Sequence, residues 1–373
     1  MSYQVGLGRR GVVVAFQPHH VEHLVPFCEI FGIPLLPLSE KALEAARWYP
    51  KITIMPIIDV SENRLQLFER MRQCDPQYEA VFCPTFYGRS FLKKERERLG
   101  WFPQVIFCPH GFSEKSKSPS HWRKWFGQQQ IGLRYRPGRL GEGEAFIATV
   151  RSIIIGDLPR WYYETHRTYL DNKLDEVLGM SGDDSLTVLY TPTWNDPHGS
   201  SSVDQALETF IASAPSHVKL IVKPHPNLED DLRVVDYMRQ IVSSRANAVL
   251  LEKCPFTHPV LSRVDVLVTD MSAMAYAFLY YRRPIVLLNQ LSGTSADCRQ
   301  SRLADCSITM SRCDYDKLWE VIETQALSAT AEQRDGMKRC YEFAFGTDYD
   351  GVAEMAAAVI DSLNKCELEA FKL

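Results

Sequence analysis

The sequence predicts an α/β protein built as two doubly wound parallel sheets facing a central cleft. Three observations predict it. The chain has 373 residues, too many for one ordinary core and enough for two domains of similar size. Hydrophobic residues make up 45% and charged residues 24%, an ordinary globular composition. Short apolar runs alternate with helical patterns along the whole length, the signature of βαβ units.

In the first half the strand candidates are Val12–Phe16, Ile52–Ile57, Ala80–Cys83, Val105–Cys108 and Ser152–Ile155, with helical patterns over Glu62–Arg72 and Phe86–Arg98. A helix over Arg160–Leu178 leads toward the second half. There the strands are Thr187–Tyr190, Lys219–Val222, Ala248–Leu251, Val266–Val268 and Ile285–Leu288. Helices fall near Asp204–Ala214, Leu232–Ser244 and Ala273–Tyr281, and two long ones, Ala331–Ala344 and Gly351–Asn364, follow. The break is expected between the strands at Ile153 and Thr187, dividing the chain into domains 1–178 and 179–373, the latter carrying the terminal helices. Ligands of open α/β sheets sit beyond the carboxyl ends of the strands, so the cleft between two such sheets is the expected site.

Bulk properties exclude several classes. The formal net charge is −4, so the surface as a whole does not attract nucleic acid, and no nucleic-acid partner is expected. Ten cysteines occur, none in a C-x-x-C pair, which argues against a zinc ribbon and fits a reducing compartment. Cys83 and Cys108 lie in apolar runs and read as small buried hydrophobes. The run Gly11–Phe16 is too short for a secretory leader and reads as a first strand; no stretch of about 18 apolar residues suggests a membrane span. The expectation is a cytoplasmic chain, with contact at the inner face of the cell membrane left open. No phosphate-binding P-loop, dinucleotide fingerprint after a strand or hydrolase nucleophile elbow is present.

Four segments place chemistry at strand ends. Leu189–Asn195 leaves a strand through a Pro-containing turn with Thr191, Thr193, Trp194 and Asn195; alone it reads equally as a strand-exit loop. Leu220–Pro226 delivers Lys223 and His225, the histidine held between Pro224 and Pro226, a pairing suited to an anionic phosphate. Arg263–Ala275 ends a strand at Thr269-Asp270 and opens a helix near Ser272 and Ala273. Free N–H groups there make either an ordinary N-cap or a phosphate seat, or both. Val105–Lys115 repeats the pattern in the first half, with His110 between Pro109 and Gly111, or simply in a turn.

Downstream, Lys115–Arg139 carries seven Lys or Arg and no acid, with aromatics interleaved. Lys115, Trp122, Arg123, Lys124 and Trp125 suit an acceptor or membrane surface; a solvated basic loop is the plain alternative. His19, His20 and His23 follow the first strand near a helix start. They could form a metal cluster, but no recognisable ligand spacing supports it, so they read as polar cap residues. His166, His198, His217 and His258 read as surface or loop positions. No cofactor and no metal is expected.

Taken together, Tyr190–Trp194, Lys223–Pro226, Asp265–Ser272, Tyr276–Tyr280 with Arg283-Pro284, Asp350-Gly351 and Pro109-His110-Gly111 resemble the CDP-glycerol glycerophosphotransferases of teichoic-acid and capsule synthesis. The resemblance covers about residues 105–365. Asn195 stands where that family commonly has Arg, Pro109 where it has Trp, and Met271-Ser-Ala273 where it has a Tyr-Ser-Ser-like stretch. The family implies a GT-B-like fold of two Rossmann-like domains, a CDP-linked polyol-phosphate donor, and a hydroxyl acceptor on a membrane-associated glycan or lipid-linked chain. By position it implies His110 as general base, His225 at the donor phosphates and Ser272 as a phosphate ligand. A GT-B glycosyltransferase using a nucleotide sugar, or an inactive scaffold that keeps the nucleotide cleft, are the alternatives.

Overall fold

A computed structural model describes residues 5–7, 10–58, 60, 66–73, 78–85, 89–100, 103–111, 131–134, 151–179, 185–195, 199–291, 299, 301–346 and 351–370. These form two compact units. One takes residues up to Gly111, from 118 to Arg167 and Phe345–Leu373; the other takes Thr168–Ala344. Among the described residues no helix is long and apolar enough to cross a membrane.

The first unit opens with β1 (Gly11–Ala15), a fully buried strand, and α1 (Pro18–Phe31). Proline at the first helical position suits α1, because its missing N–H needs no partner there. Gly32 ends the helix in the left-handed conformation, with φ of 64°. Then come β2 (Leu35–Pro37), α2 (Glu40–Ala46), α3 (Leu67–Gln73), β3 (Ala80–Cys83), α4 (Arg89–Leu99), β4 (Gln104–Phe107), β5 (Ile131–Arg134) and β6 (Arg151–Ile154). The strands form one six-stranded sheet in the order β2-β1-β3-β4-β5-β6, every pair parallel. Strands buried on both faces are near-continuous apolar runs, which is how Val-Val-Val and Ala-Val-Phe-Cys read.

α5 (Leu158–Leu178) carries the chain into the second unit. It breaks at His166, whose φ of −115° and ψ of 20° are non-helical, one residue before the units divide. The second unit then runs β7 (Thr187–Thr191), α6 (Val203–Ala212), β8 (Lys219–Val222), α7 (Leu232–Ser243), β9 (Ala248–Leu250), α8 (His258–Ser262), β10 (Val266–Thr269), α9 (Ala273–Phe278), β11 (Ile285–Asn289), β12 (Ile308–Ser311), α10 (Leu318–Val321) and α11 (Ala331–Phe345). Its six strands are again all parallel, in the order β12-β11-β10-β7-β8-β9. α6 buries Val203, Ala206, Leu207, Phe210 and Ile211 at helical spacing. Trp319 stacks on Phe210 at 5.4 Å and donates its indole N–H to the Phe210 carbonyl at 2.8 Å, satisfying a buried donor.

α12 (Val352–Ala370) returns to the first unit, where it packs on β6 and α1. The Gln104 side-chain amide donates to the Leu363 carbonyl at 3.3 Å. The units therefore divide the chain differently from the expected 1–178 and 179–373. The last helix belongs with the first sheet because its buried face, including Val352, Met355, Ala356, Val359 and Leu363, is covered there.

Three further expectations need correction. Ile52–Ile57 is not a strand: it runs beside β2, with Leu35 N–H donating to Thr53 and Met55 N–H to Leu35, both at 2.8 Å. Only the single parallel bridge Leu35–Ile54 forms, and Pro56 offers no donor to extend a ladder. The basic aromatic tract is not a loop throughout, since Ile131–Arg134 is β5, between β4 and β6. Finally, His166 and His258 are buried rather than superficial. His166 Nε2 meets Glu29 Oε2 of α1 at 2.5 Å, and His258 Nδ1 lies 3.4 Å from the Tyr281 hydroxyl.

Candidate functional site

In the second sheet the strand order reverses between β7 and β10. Chain connections leave these two neighbours toward opposite sides, and it is beyond such carboxyl ends that open α/β sheets bind ligands. β7 ends at Thr191 and β10 at Thr269, and these are register partners. Their hydroxyls lie 2.9 Å apart, buried. Thr269 Oγ1 also reaches the Thr191 carbonyl at 2.9 Å and Ser272 Oγ at 3.2 Å. A hydroxyl has one proton to give and a carbonyl can only accept, so when Thr269 donates to the Thr191 carbonyl the Thr191 and Ser272 hydroxyls must donate to it.

Asp270 organises the loop after β7. Only 1% exposed, it accepts at Oδ2 from the backbone N–H of Thr193 at 2.8 Å and of Ser202 at 3.1 Å. Such charge-assisted bonds fix the loop's course. Ser201 Oγ donates back to the Thr193 carbonyl at 2.8 Å, and the Tyr190 hydroxyl meets Ser202 Oγ at 2.7 Å. Burial, and then the charge of Asp270, push the Tyr190 phenol well above its usual value, so it keeps its proton. With the loop held this way, Trp194 and Asn195 stand exposed at its crest, Trp194 at 38%.

Ser272 is the N-cap residue of α9, but its side chain makes no capping bond; its hydroxyl is turned to Thr269. Ala273 is the first residue of that helix. β8 lies on the other side of β7, and Lys223 follows it, its backbone N–H donating to the Tyr190 carbonyl at 2.9 Å. Two residues on, His225 is half-buried, and its Nδ1 accepts the Asn227 backbone N–H at 3.1 Å. A neutral ring held that way carries its proton on Nε2, and so presents a donor.

The second unit thus brings Thr191, Thr193, Asp270 and Ser272 into one bonded cluster, with Trp194, Asn195, Lys223, His225 and Ala273 at the carboxyl ends of β7, β8 and β10. Ser201, Ser202 and Thr269 belong to the same cluster and were missed. The Gly199-Ser-Ser-Ser202 run before a helix was the available signal, since serines there commonly take backbone bonds.

In the first unit His110 is exposed in the irregular segment after β4, followed by Gly111 at φ 143°, a conformation that favours glycine. Its ring centroid lies 4.6 Å from that of His20 and 5.5 Å from that of His19. His19 and His20 are the second and third residues of α1. His20 caps the helix, its Nδ1 accepting the Gln17 backbone N–H at 3.3 Å. Lys115, Trp122, Arg123, Lys124 and Trp125 lie outside the described residues.

Comparison with solved structures supports the fold. The chain superposes with a TM-score of 0.60 on MnaA of S. aureus in complex with UDP, at 10% identity, covering 95% of this chain and 97% of that one. It superposes at 0.54 on the UDP-GlcNAc 2-epimerase of Neisseria meningitidis bound to UDP-GlcNAc, at 12% identity, covering 95% and 99%. The wall teichoic acid polymerase TagF gives 0.59 at 11% identity, covering 97% and 90%. Identities this low establish the fold alone, here a GT-B-like fold with two parallel sheets. No curated protein sequence matches the chain. A family model described as CDP-glycerol:poly(glycerophosphate) glycerophosphotransferase matches residues 144–290, which take in β7, β8 and β10 with the whole bonded cluster.

Proposed function

We propose that the protein transfers a polyol phosphate, glycerol phosphate in the simplest case, from a CDP-linked donor to a hydroxyl of a cell-envelope glycan or lipid-linked acceptor. The observation that carries this reading is placement. Tyr190–Trp194, Lys223–Pro226 and Asp265–Ser272 all end at the carboxyl edge of three adjacent strands, β8, β7 and β10, at the reversal of strand order. A TagF variant soaked with CDPG is among the structural neighbours, with a TM-score of 0.59 at 10% identity, covering 97% of this chain and 90% of that one.

In the proposed reaction an acceptor oxygen attacks the donor's β-phosphorus. The new P–O bond forms as the bond to CMP breaks, and the acceptor's proton passes to His110. Phosphoryl chemistry of this kind needs positioning and charge stabilisation more than covalent catalysis. We assign His225 Nε2–H, Lys223 and, once it turns from Thr269, the Ser272 hydroxyl to the phosphate oxygens. Asp270 acts at one remove, by holding the loop. The basic aromatic residues Lys115, Trp122, Arg123, Lys124 and Trp125 would face the acceptor or a membrane surface.

A donor screen by thermal shift tests the reading, using CMP, CDP, CDP-glycerol, UDP-sugars and GDP-sugars. Selective stabilisation by cytidine nucleotides is expected. Stabilisation by UDP-sugars alone would favour a nucleotide-sugar glycosyltransferase, a reading that the UDP-bound neighbours keep in view. No stabilisation by any nucleotide would favour an inactive scaffold.

A further inference from the structure

The first unit holds a group that the transferase reading uses only in part. His19, His20 and His110 each offer a ring nitrogen, and the three atoms lie within 4.8 Å of one another. We propose that these three histidines form a binding site for a divalent transition-metal cation of the zinc class.

The donor set argues for that class. Three imidazoles are borderline ligands that suit Zn²⁺, Co²⁺, Ni²⁺ or Cu²⁺, whereas Mg²⁺ and Ca²⁺ take oxygen. The group found among the described residues contains no carboxylate. Tetrahedral zinc with nitrogen ligands at about 2.0–2.1 Å sets its ligand atoms roughly 3.3 Å apart, so the rings must close in modestly. The chain allows this. His20 is buried and His19 half-buried on a regular helix, while His110 is exposed on the irregular segment after β4. His20 Nδ1 accepts the Gln17 N–H at 3.3 Å, longer than an ordinary hydrogen bond. The dipole of α1 opposes a cation at its start, but by far less than three metal–imidazole bonds contribute. Three protein ligands would leave one tetrahedral position for water or substrate.

The metal proposal does not rest on the transferase reading. A chain that binds metal and transfers nothing upholds the site and sinks the reading; one that transfers but binds no metal does the reverse. The full-length protein is stripped with chelator and titrated with Zn²⁺ against a chromophoric competitor, and Co²⁺ is added separately for its visible spectrum. One equivalent of submicromolar Zn²⁺ and a tetrahedral Co²⁺ spectrum are expected. His19→Gln, His20→Gln and His110→Gln should each weaken binding at least about tenfold. His23→Gln, a neighbour outside the group, should not. His20 is buried, so the exposed His110 supplies the variant that keeps its fold. Absence of stoichiometric binding, or equal binding by wild type and His110→Gln, would overturn the site.

Discussion

The two sheets share a plan and differ at their working edges. Both are six-stranded and parallel, and both carry their chemistry just beyond strand ends. At the second sheet's edge, hydroxyls and one buried carboxylate are tied to backbone and to each other: Asp270 to Thr193 and Ser202, Thr269 to Thr191. At the first sheet's edge, imidazoles pack ring against ring, His20 4.4 Å from His19 and 4.6 Å from His110. The first arrangement is a rigid frame that points donors outward, suited to an anion. The second gathers lone pairs, suited to a proton or a cation. One fold thus supplies two kinds of polar rim by changing only the residues after its strands.

Mutations can break or sharpen this contrast. The largest effect is expected at the frame. Asp270→Ala strands two buried N–H groups and should cost about 3–5 kcal/mol in denaturant unfolding, since each buried donor left without its charged acceptor costs on the order of 1–3 kcal/mol. A loss under about 1 kcal/mol would mean the loop after β7 does not depend on it. Next comes the first unit's buried contact between His166 and Glu29. His166→Ala should cost about 3 kcal/mol by the same measurement, because it leaves a buried carboxyl without its partner. Unchanged stability there would place the first unit's rigidity elsewhere.

His225→Ala should lower transfer at least about a hundredfold while leaving the unfolding midpoint in place, and His110→Ala the same. That loss is roughly 2.7 kcal/mol of barrier at about 1.36 kcal/mol per tenfold. Near-wild-type turnover in both would remove the two imidazoles from the mechanism. Smallest of all, Trp194→Ala should move stability by no more than about 0.5 kcal/mol, as for an exposed position. Weaker calorimetric binding of the CDP-linked donor is the expected change; unaltered binding would place Trp194 outside the donor site.

The second unit was the more legible half. β7, β8, β10 and β11 fall within a residue of the apolar runs Thr187–Tyr190, Lys219–Val222, Val266–Val268 and Ile285–Leu288, because parallel strands covered on both faces announce themselves as unbroken hydrophobic stretches. The strands that escaped notice lack such runs. β2 is Leu-Leu-Pro, β5 is Ile-Gly-Leu-Arg inside a basic tract, and β12 mixes Ile and Met with Thr and Ser. Their pairing is decided by neighbours in the sheet rather than by their own composition. The same holds for the histidines. His225 could be placed from the strand and prolines beside it. The contact of His110 with His19 and His20, and of His166 with Glu29, joins segments far apart in the chain, and no local pattern encodes it.

The closing helix sets the calendar of the molecule's birth. Thr168–Ala344 gathers into one body, whereas the earlier sheet must await Phe345–Leu373 before its last face is covered. Domains fold as units while they emerge from the ribosome. In this chain the later-made body is therefore the sooner finished, and damage to the final helix would reach back to the sheet that was translated first.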